Sequence, residues 1–349
     1  MKKTFTGCLL FAGLTSYTFA QSSITLYGSI DGGVRYLTNA GSTAATAHSN
    51  TVSMTYTGLN FPNRFGFKGV EDLGAGFNAH FTLESGFNTG TGALDNSKNV
   101  LFNRQAFVGL GSSSLGSLDF GRQYSISNKT TSAYDTFGFR YLSIINVASA
   151  TVGPIRLDND IQYTNSYGPV TGRIEYSPGG QPGSFSDGST TAMGLTFTGT
   201  TFGIGGAYTT QQAQVGSVNS TSFRQRSQFV VGSFYNFGNA RITAGYLGDT
   251  TPITTGDTRT RTGWAGASYR FTPSFVVTGG YYQTNSYAPN GDGAKRTFIV
   301  DVNYFLSKTT LLYAEIDTAG YSGNYTGVYP SPAGQTRQNG ISIGLNHLF

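Results

Sequence analysis

The sequence predicts an all-β fold, a transmembrane antiparallel up-and-down barrel of sixteen strands, and three observations predict it. Apolar residues recur with period two along almost the whole chain, short and long connections alternate strictly, and only 11% of the 349 residues are charged. A period of two gives each extended segment one apolar and one polar face. A water-soluble surface would carry more charge, since about 25% is usual. Beyond residue 20 no apolar run approaches the ~18 to 20 residues of a membrane-crossing helix, so any crossing falls to strands.

The first element is a secretory leader, expected over residues 1–20. Lys2 and Lys3 form its basic head, Cys8 to Leu14 its apolar centre, and Ala20 a small residue at the cleavage point. Cys8 precedes most of the apolar run, which is the wrong place for a lipidated cysteine. Cleavage there removes the single cysteine, so the exported part, residues 21–349, is expected to be one barrel domain without a disulfide framework. Formal charge falls from +5 to +3 with Lys2 and Lys3 gone. The remaining basic residues are scattered, and nucleic acid is not an expected partner.

The strands follow in order. The first covers 24–37, where Ile24, Leu26, Ile30, Val34 and Tyr36 share one face while Thr25, Ser29, Asp31 and Arg35 share the other. Alternation then places strands at 62–71, 76–87, 101–111, 116–123, 158–165, 170–177 and 191–199. The second half continues at 202–210, 225–238, 240–248, 262–271, 274–285, 295–306, 309–319 and 339–349. Tight turns such as Ser166 to Pro169, Gly238-Asn239 and Ser307-Lys308 alternate with polar loops such as 88–100, 211–224 and 320–338. That asymmetry belongs to a barrel with short periplasmic turns and longer outer loops. Aromatic residues at strand ends, Tyr235 and Phe237, Tyr269 and Phe271, Tyr304 and Phe305, and Phe349, suit interfacial girdles.

Closure has a physical cause. In hydrocarbon an unpaired backbone N–H or C=O costs several kcal/mol, so a spanning sheet must have no edge. At about sixteen strands side chains cannot fill the interior, and an aqueous lumen remains. The polar face therefore reads as the wall of that lumen, with Arg35, Asp31, Glu84 and Arg122 among its charged residues.

The longest connection, about 124–157, carries Asp135, Phe137, Phe139, Tyr141, Leu142, Ile144, Ile145 and Val147, too apolar for a freely solvated loop. It is expected to fold into the lumen and narrow it. That would bring Arg64, Arg104 and Arg156 of the wall opposite acidic residues of the loop, with a transverse field between them. Solvated wall charges partly neutralised by Asp31 and Glu84 are the plainer reading of the same arginines.

Catalytic constellations are absent from the sequence. His48, His80 and His347 are the only histidines, and none has metal-ligand spacing. His80 and Glu84 share a face about 13 Å apart, too far for direct pairing. Gly203 to Gly206 precede no helix and form no phosphate cradle.

Several segments together resemble the general porins of Gram-negative bacteria, of the β-proteobacterial type. They are Ser23-Ile-Thr-Leu-Tyr-Gly-Ser-Ile-Asp31, Asn63-Arg-Phe-Gly-Phe-Lys-Gly-Val-Glu-Asp-Leu-Gly74, Phe77 to Phe87, Asn103-Arg-Gln-Ala-Phe-Val-Gly-Leu110, Phe120-Gly-Arg-Gln-Tyr124, Arg156-Leu-Asp-Asn159, Leu306-Ser-Lys308 and Gly344-Leu-Asn-His-Leu-Phe349. The resemblance implies a homotrimer in the outer membrane, in contact with lipid and lipopolysaccharide, whose third outer loop is the eyelet. It implies passive diffusion of small polar solutes and ions, with no cofactor, since movement runs down a gradient. A channel selective for one substrate, or a barrel adhesin or receptor, are the alternatives.

By the same resemblance Arg64, Arg104 and Arg156 occupy the basic eyelet positions and Asp135 the acidic one. Leu345, His347 and the terminal Phe349 match the signal read by the outer-membrane assembly machinery. From the residues alone that stripe is the lipid face of the last strand.

Overall fold

The computed structural model describes residues 23–349 apart from 42–44, 47, 55–57, 97, 141–154, 218–219 and 325–334. The expected leader lies outside the described residues. Among the described residues the elements are β1 (Ser23–Leu37), β2 (Thr51–Met54), β3 (Arg64–Gly74), β4 (Phe77–Gly86), β5 (Gln105–Ser112), β6 (Gly116–Tyr124), α1 (Ile126–Tyr134), β7 (Arg156–Tyr167), β8 (Val170–Ser177) and β9 (Thr190–Thr198). They continue as β10 (Phe202–Gln214), β11 (Phe223–Phe237), β12 (Ala240–Ile253), β13 (Gly256–Thr272), β14 (Phe275–Tyr287), β15 (Gly293–Phe305), β16 (Thr310–Gly323) and β17 (Arg337–Leu348).

From β3 onward strands consecutive in sequence pair antiparallel, and β17 returns to β1, from Ser29 opposite Leu348 to Leu37 opposite Gly340. Gly28 and Phe349 extend this seam with two backbone hydrogen bonds of 2.9 and 3.2 Å. The sheet therefore has no free edge, as a spanning sheet requires. Seventeen strands fill sixteen places. One edge of β1 takes β17, while the other takes both β3, along Ser23–Ser29, and β2, along Val34–Leu37. The chain between β2 and β3 leaves the sheet, which the sequence reading, with one strand from 62, did not anticipate.

The two faces separate as period-two alternation requires. On β1, Ile24 is 71% exposed while Asp31 is fully buried, and on β17 Ile341, Ile343 and Leu345 are exposed while Ser342 and Asn346 are buried. Apolar side chains thus cover the outside and polar ones the inside, the reverse of a soluble protein. No helix among the described residues is long and apolar enough to cross a membrane. Aromatics ring the short-turn rim: Tyr235, Phe237, Tyr269, Phe271, Tyr304 and Phe349 are exposed, and the Tyr269 and Phe271 rings meet at 4.7 Å. Phe305 is half-buried, with the Arg270 guanidinium 6.0 Å over its ring.

Strands at the long-loop end run further than alternation suggested. β12 and β13 pair as far as Ile253 opposite Gly256, so most of the expected loop between them is ladder. Its Thr, Asp and Arg residues look loop-like in sequence, but the backbone ladder and ion pairs such as Arg226–Asp249 and Arg224–Asp257 hold them extended.

Candidate functional site

The starts and ends of neighbouring strands β3 to β7 bring five side chains into one network. Glu84, in β4, is its centre. Its carboxylate accepts from the Arg104 Nε at 2.8 Å and from the Tyr27 hydroxyl at 3.0 Å, and lies 3.8 Å from the Arg64 Nε. Arg104 also donates to the Tyr124 hydroxyl at 2.6 Å, and Arg156, opposite Tyr124 in the β6–β7 register, donates to the same oxygen at 3.1 Å. Arg104 lies 3.9 Å from Asp95 as well. Among the described residues Arg156 has no carboxylate within ion-pair distance; its guanidinium stacks 4.6 Å over the Tyr124 ring.

Arg64, Arg104, Tyr124 and Arg156 line a cavity of about 400 Å³. Its other charged lining residues are Lys129 and Arg140, from the connection after β6, and Asp95. Five cationic side chains thus face one lining carboxylate. Burial, with Arg173 adding to it, holds the Lys129 ammonium below the ordinary lysine value. Such a wall attracts anions and repels cations.

Across the cavity lies α1, within a segment expected to be loop. Its sequence, Ile-Ser-Asn-Lys-Thr-Thr-Ser-Ala-Tyr, is poor in strong helix formers, so the helix depends on its ends and its seat. Ser125 caps the N-terminus, accepting from the Asn128 N–H at 3.2 Å, and the Ile126 N–H donates to Glu175 of β8 at 3.0 Å. Lys129 bonds Gln162 of β7. At the other end the Trp264 indole donates to the Tyr134 carbonyl at 3.0 Å. Two wall glycines admit this close approach. A Cβ on Gly232 would stand 2.5 Å from that of Tyr134, and one on Gly266 would meet Thr136. Ile126, Phe137 and Phe139 bury themselves among Ala192, Ala207, Val230, Leu247, Trp264 and Tyr282, all on the polar face of the wall. Residues 141–154, the rest of the expected constriction loop, lie outside the described residues.

The residues singled out from sequence divide as follows. Arg64, Arg104 and Arg156 come together at the cavity, with Glu84 between two of them. Asp135 stands apart from its lining. It caps the C-terminus of α1, and its carboxylate accepts from the Tyr282 hydroxyl at 2.7 Å and from the Phe137 and Phe139 N–H groups at 3.0 Å each. Burial pushes its carboxyl above the ordinary aspartate value, while those three bonds pull the other way. Asp31 neutralises none of the three arginines; it binds backbone N–H groups of residues 59–61. Arg35 pairs with Glu315 at 3.2 Å and Asp317 at 2.7 Å, and Arg122 with Asp158 at 2.5 Å. Phe349 closes the seam, His347 faces Thr310 at 2.9 Å, and Leu345 points outward.

Tyr124, Trp264 and Tyr282 were not picked out as anchors by sequence. A usable signal existed for Trp264 and Tyr282, each an aromatic residue in polar-face register on its strand, where a merely solvated wall has no need of one; Tyr124 shares the alternation of the outward Leu118 and Phe120, and a register shift between Gly121 and Gln123 turns it to the cavity.

A closed barrel of sixteen places with an apolar exterior and a charged internal cavity defines a channel-type outer-membrane barrel. The family model described as Gram-negative porin matches residues 7–324, and the chain belongs to that family. An outer membrane porin protein of Bordetella pertussis is 38% identical over 51% of this chain, an alignment that spans 48% of that protein. Among solved structures, an anion-selective porin from Comamonas acidovorans superposes with a TM-score of 0.77 at 22% identity, over 94% of this chain and all of that one. The trimer form of OmpT, an outer membrane protein of Vibrio cholerae, superposes with 0.70 at 14% identity, over 94% of this chain and 99% of that one. The outer membrane is accordingly the location of this chain.

Proposed function

We propose that the barrel is a passive channel for small hydrophilic solutes and ions, with a preference for anions, narrowed by its third outer loop folding inward between β6 and β7. The observation that carries this reading is the cavity at Arg64, Arg104 and Arg156, where wall and loop together supply five cationic side chains against Asp95. Because Glu84 is bound to Arg104 and Arg64, Arg156 is the one of these three arginines without a carboxylate partner among the described residues. The anion-selective Comamonas porin, which shares this fold, supports the same direction.

The anchoring of α1 by Glu175, Trp264 and Tyr282 supports a loop held against the wall and not a free outer loop. No residue is assigned a catalytic role and no cofactor enters. The trimeric Vibrio structure supports assembly as a homotrimer, and contact with lipid and lipopolysaccharide belongs to the same proposal. Residues 1–20 are proposed as the export leader, and Leu345, His347 and Phe349 as the end recognised by the assembly machinery.

The test is electrical. The mature protein in planar bilayers is expected to conduct in steps grouped by three, with a reversal potential on the anion side in a salt gradient. Protein that is folded and inserted yet leaves the bilayer silent would refute the reading.

A further inference from the structure

Residues 58–63, ahead of β3, turn onto the polar face of the wall, and that turn is built with unusual firmness. Asp31, fully buried, accepts the successive N–H groups of Leu59, Asn60 and Phe61 at 3.0, 3.2 and 3.1 Å. Three consecutive amides converging on one carboxylate make an anion nest, here filled by the protein's own side chain. The Tyr313 hydroxyl donates to the same carboxylate at 2.8 Å, and the Asp31 N–H in turn donates to the Asn63 side-chain oxygen at 2.5 Å. Asn60 donates to Asn303 at 3.0 Å, and Leu59 is buried against the polar-face side of β1 and β16. Partners on β1, β15 and β16 thus hold six residues in one place.

What this turn delivers is Phe61 and Pro62, and both line the cavity that holds the three arginines. Phe139 and Ile155 line it from the loop side. The Arg64 guanidinium lies 4.8 Å from the centroid of the Phe61 ring, and Arg156 lies 4.6 Å from that of Tyr124. The cavity therefore offers two guanidinium–aromatic pairs side by side, each presenting a positive charge and an apolar surface together.

We propose that Gly58–Asn63 is a second lip of the constriction, and that it makes the cavity a subsite for carboxylates carrying a flat apolar body. The carboxylate meets Arg64, Arg104 or Arg156 through charge-assisted hydrogen bonds, and the ring lies against Phe61 and Pro62. An inorganic anion uses only the first half of this arrangement, and so does acetate. This inference rests on the channel reading above.

The experiment measures block of chloride current through wild-type trimers by sodium benzoate, cyclohexanecarboxylate and acetate, each added alone. Benzoate is expected to block saturably at a concentration at least about fivefold below that of acetate, since ring–ring contact is favourable beyond area burial alone. In Phe61→Ser that ratio is expected to fall toward one. In Phe61→Leu, which keeps apolar bulk and so protects folding, benzoate should lose its advantage over cyclohexanecarboxylate. Equal block by benzoate and acetate in a conducting wild type overturns this proposal and leaves the channel reading standing, as does benzoate preference that survives in both variants. A wild type that does not conduct overturns the channel reading itself.

Discussion

Arg156→Gln isolates the one of the three arginines that no carboxylate pairs with among the described residues. Arg104 is neutralised by Glu84 at 2.8 Å, and Arg64 shares the same carboxylate at 3.8 Å, whereas among the described residues Arg156 has only the hydroxyl and ring of Tyr124. Removing it orphans no carboxylate among the described residues, so the barrel should assemble normally. An ion passing about 5 Å from a unit charge in water gains or loses roughly 0.8 kcal/mol, which a Debye length of ~10 Å at 0.1 M reduces to about 0.5 kcal/mol. Anions lose this attraction while cations lose an equal repulsion. The anion-to-cation permeability ratio should therefore fall by about 1 kcal/mol, or roughly fivefold, in ~0.1 M salt. In ~1 M salt, where the Debye length is about 3 Å, the change should be less than about twofold. Reversal potentials across planar bilayers at both salt levels read this directly. A ratio unaffected by the substitution, or changed equally at both salt levels, would refute the reasoning.

Arg104→Gln should behave differently, because it leaves buried Glu84 with Arg64 and Tyr27 alone; breaking such a pair costs about 3 to 5 kcal/mol, so less barrel with heat-modifiable mobility is expected. Gly232→Val pushes a side chain into Tyr134, an overpacking of about 1 to 3 kcal/mol that should unseat α1 and raise single-channel conductance while the barrel still forms. Asp135→Ala deprives the Phe137 and Phe139 amides and the Tyr282 hydroxyl of their acceptor, at about 1 to 3 kcal/mol for each group left buried; faster limited proteolysis after α1 is the expected readout. Deleting Phe349 removes both of its backbone bonds to Gly28 and the terminal aromatic, and should lower the yield of inserted trimer in membranes.

The wall was legible because strand periodicity is local and because lipid outside and water inside impose the same alternation on every strand. Ile24, Leu26 and Ile30 against Ser29 and Asp31 fix the faces of β1 without knowledge of any other strand. The arginines were legible as a set through the segments around Arg64, Arg104 and Arg156. What escaped depends on distant contacts. Helix α1 has weak propensity and is held by Glu175, Trp264 and Tyr282, which lie 49, 130 and 147 positions from their partners. Asp135 looked like an acid facing the arginines because its sequence neighbourhood says nothing of Tyr282. The turn at 58–63 escaped as well, with a strand expected from 62, since what holds it is a carboxylate 28 to 30 positions earlier, Asp31.

Thiol accessibility tests the wall most directly, since residues 21–349 contain no cysteine. Single cysteines at Thr82 and Ser117, on the polar face, and at Val108 and Leu118, on the exposed apolar face, can be offered a charged, membrane-impermeant thiol reagent and a lipid-soluble maleimide in turn. The charged reagent should reach Thr82→Cys and Ser117→Cys and lower the current stepwise, while the maleimide alone labels the other two from the bilayer. Rapid reaction of Val108→Cys and Leu118→Cys with the charged reagent, with the polar-face pair protected, would contradict a solvent-filled interior.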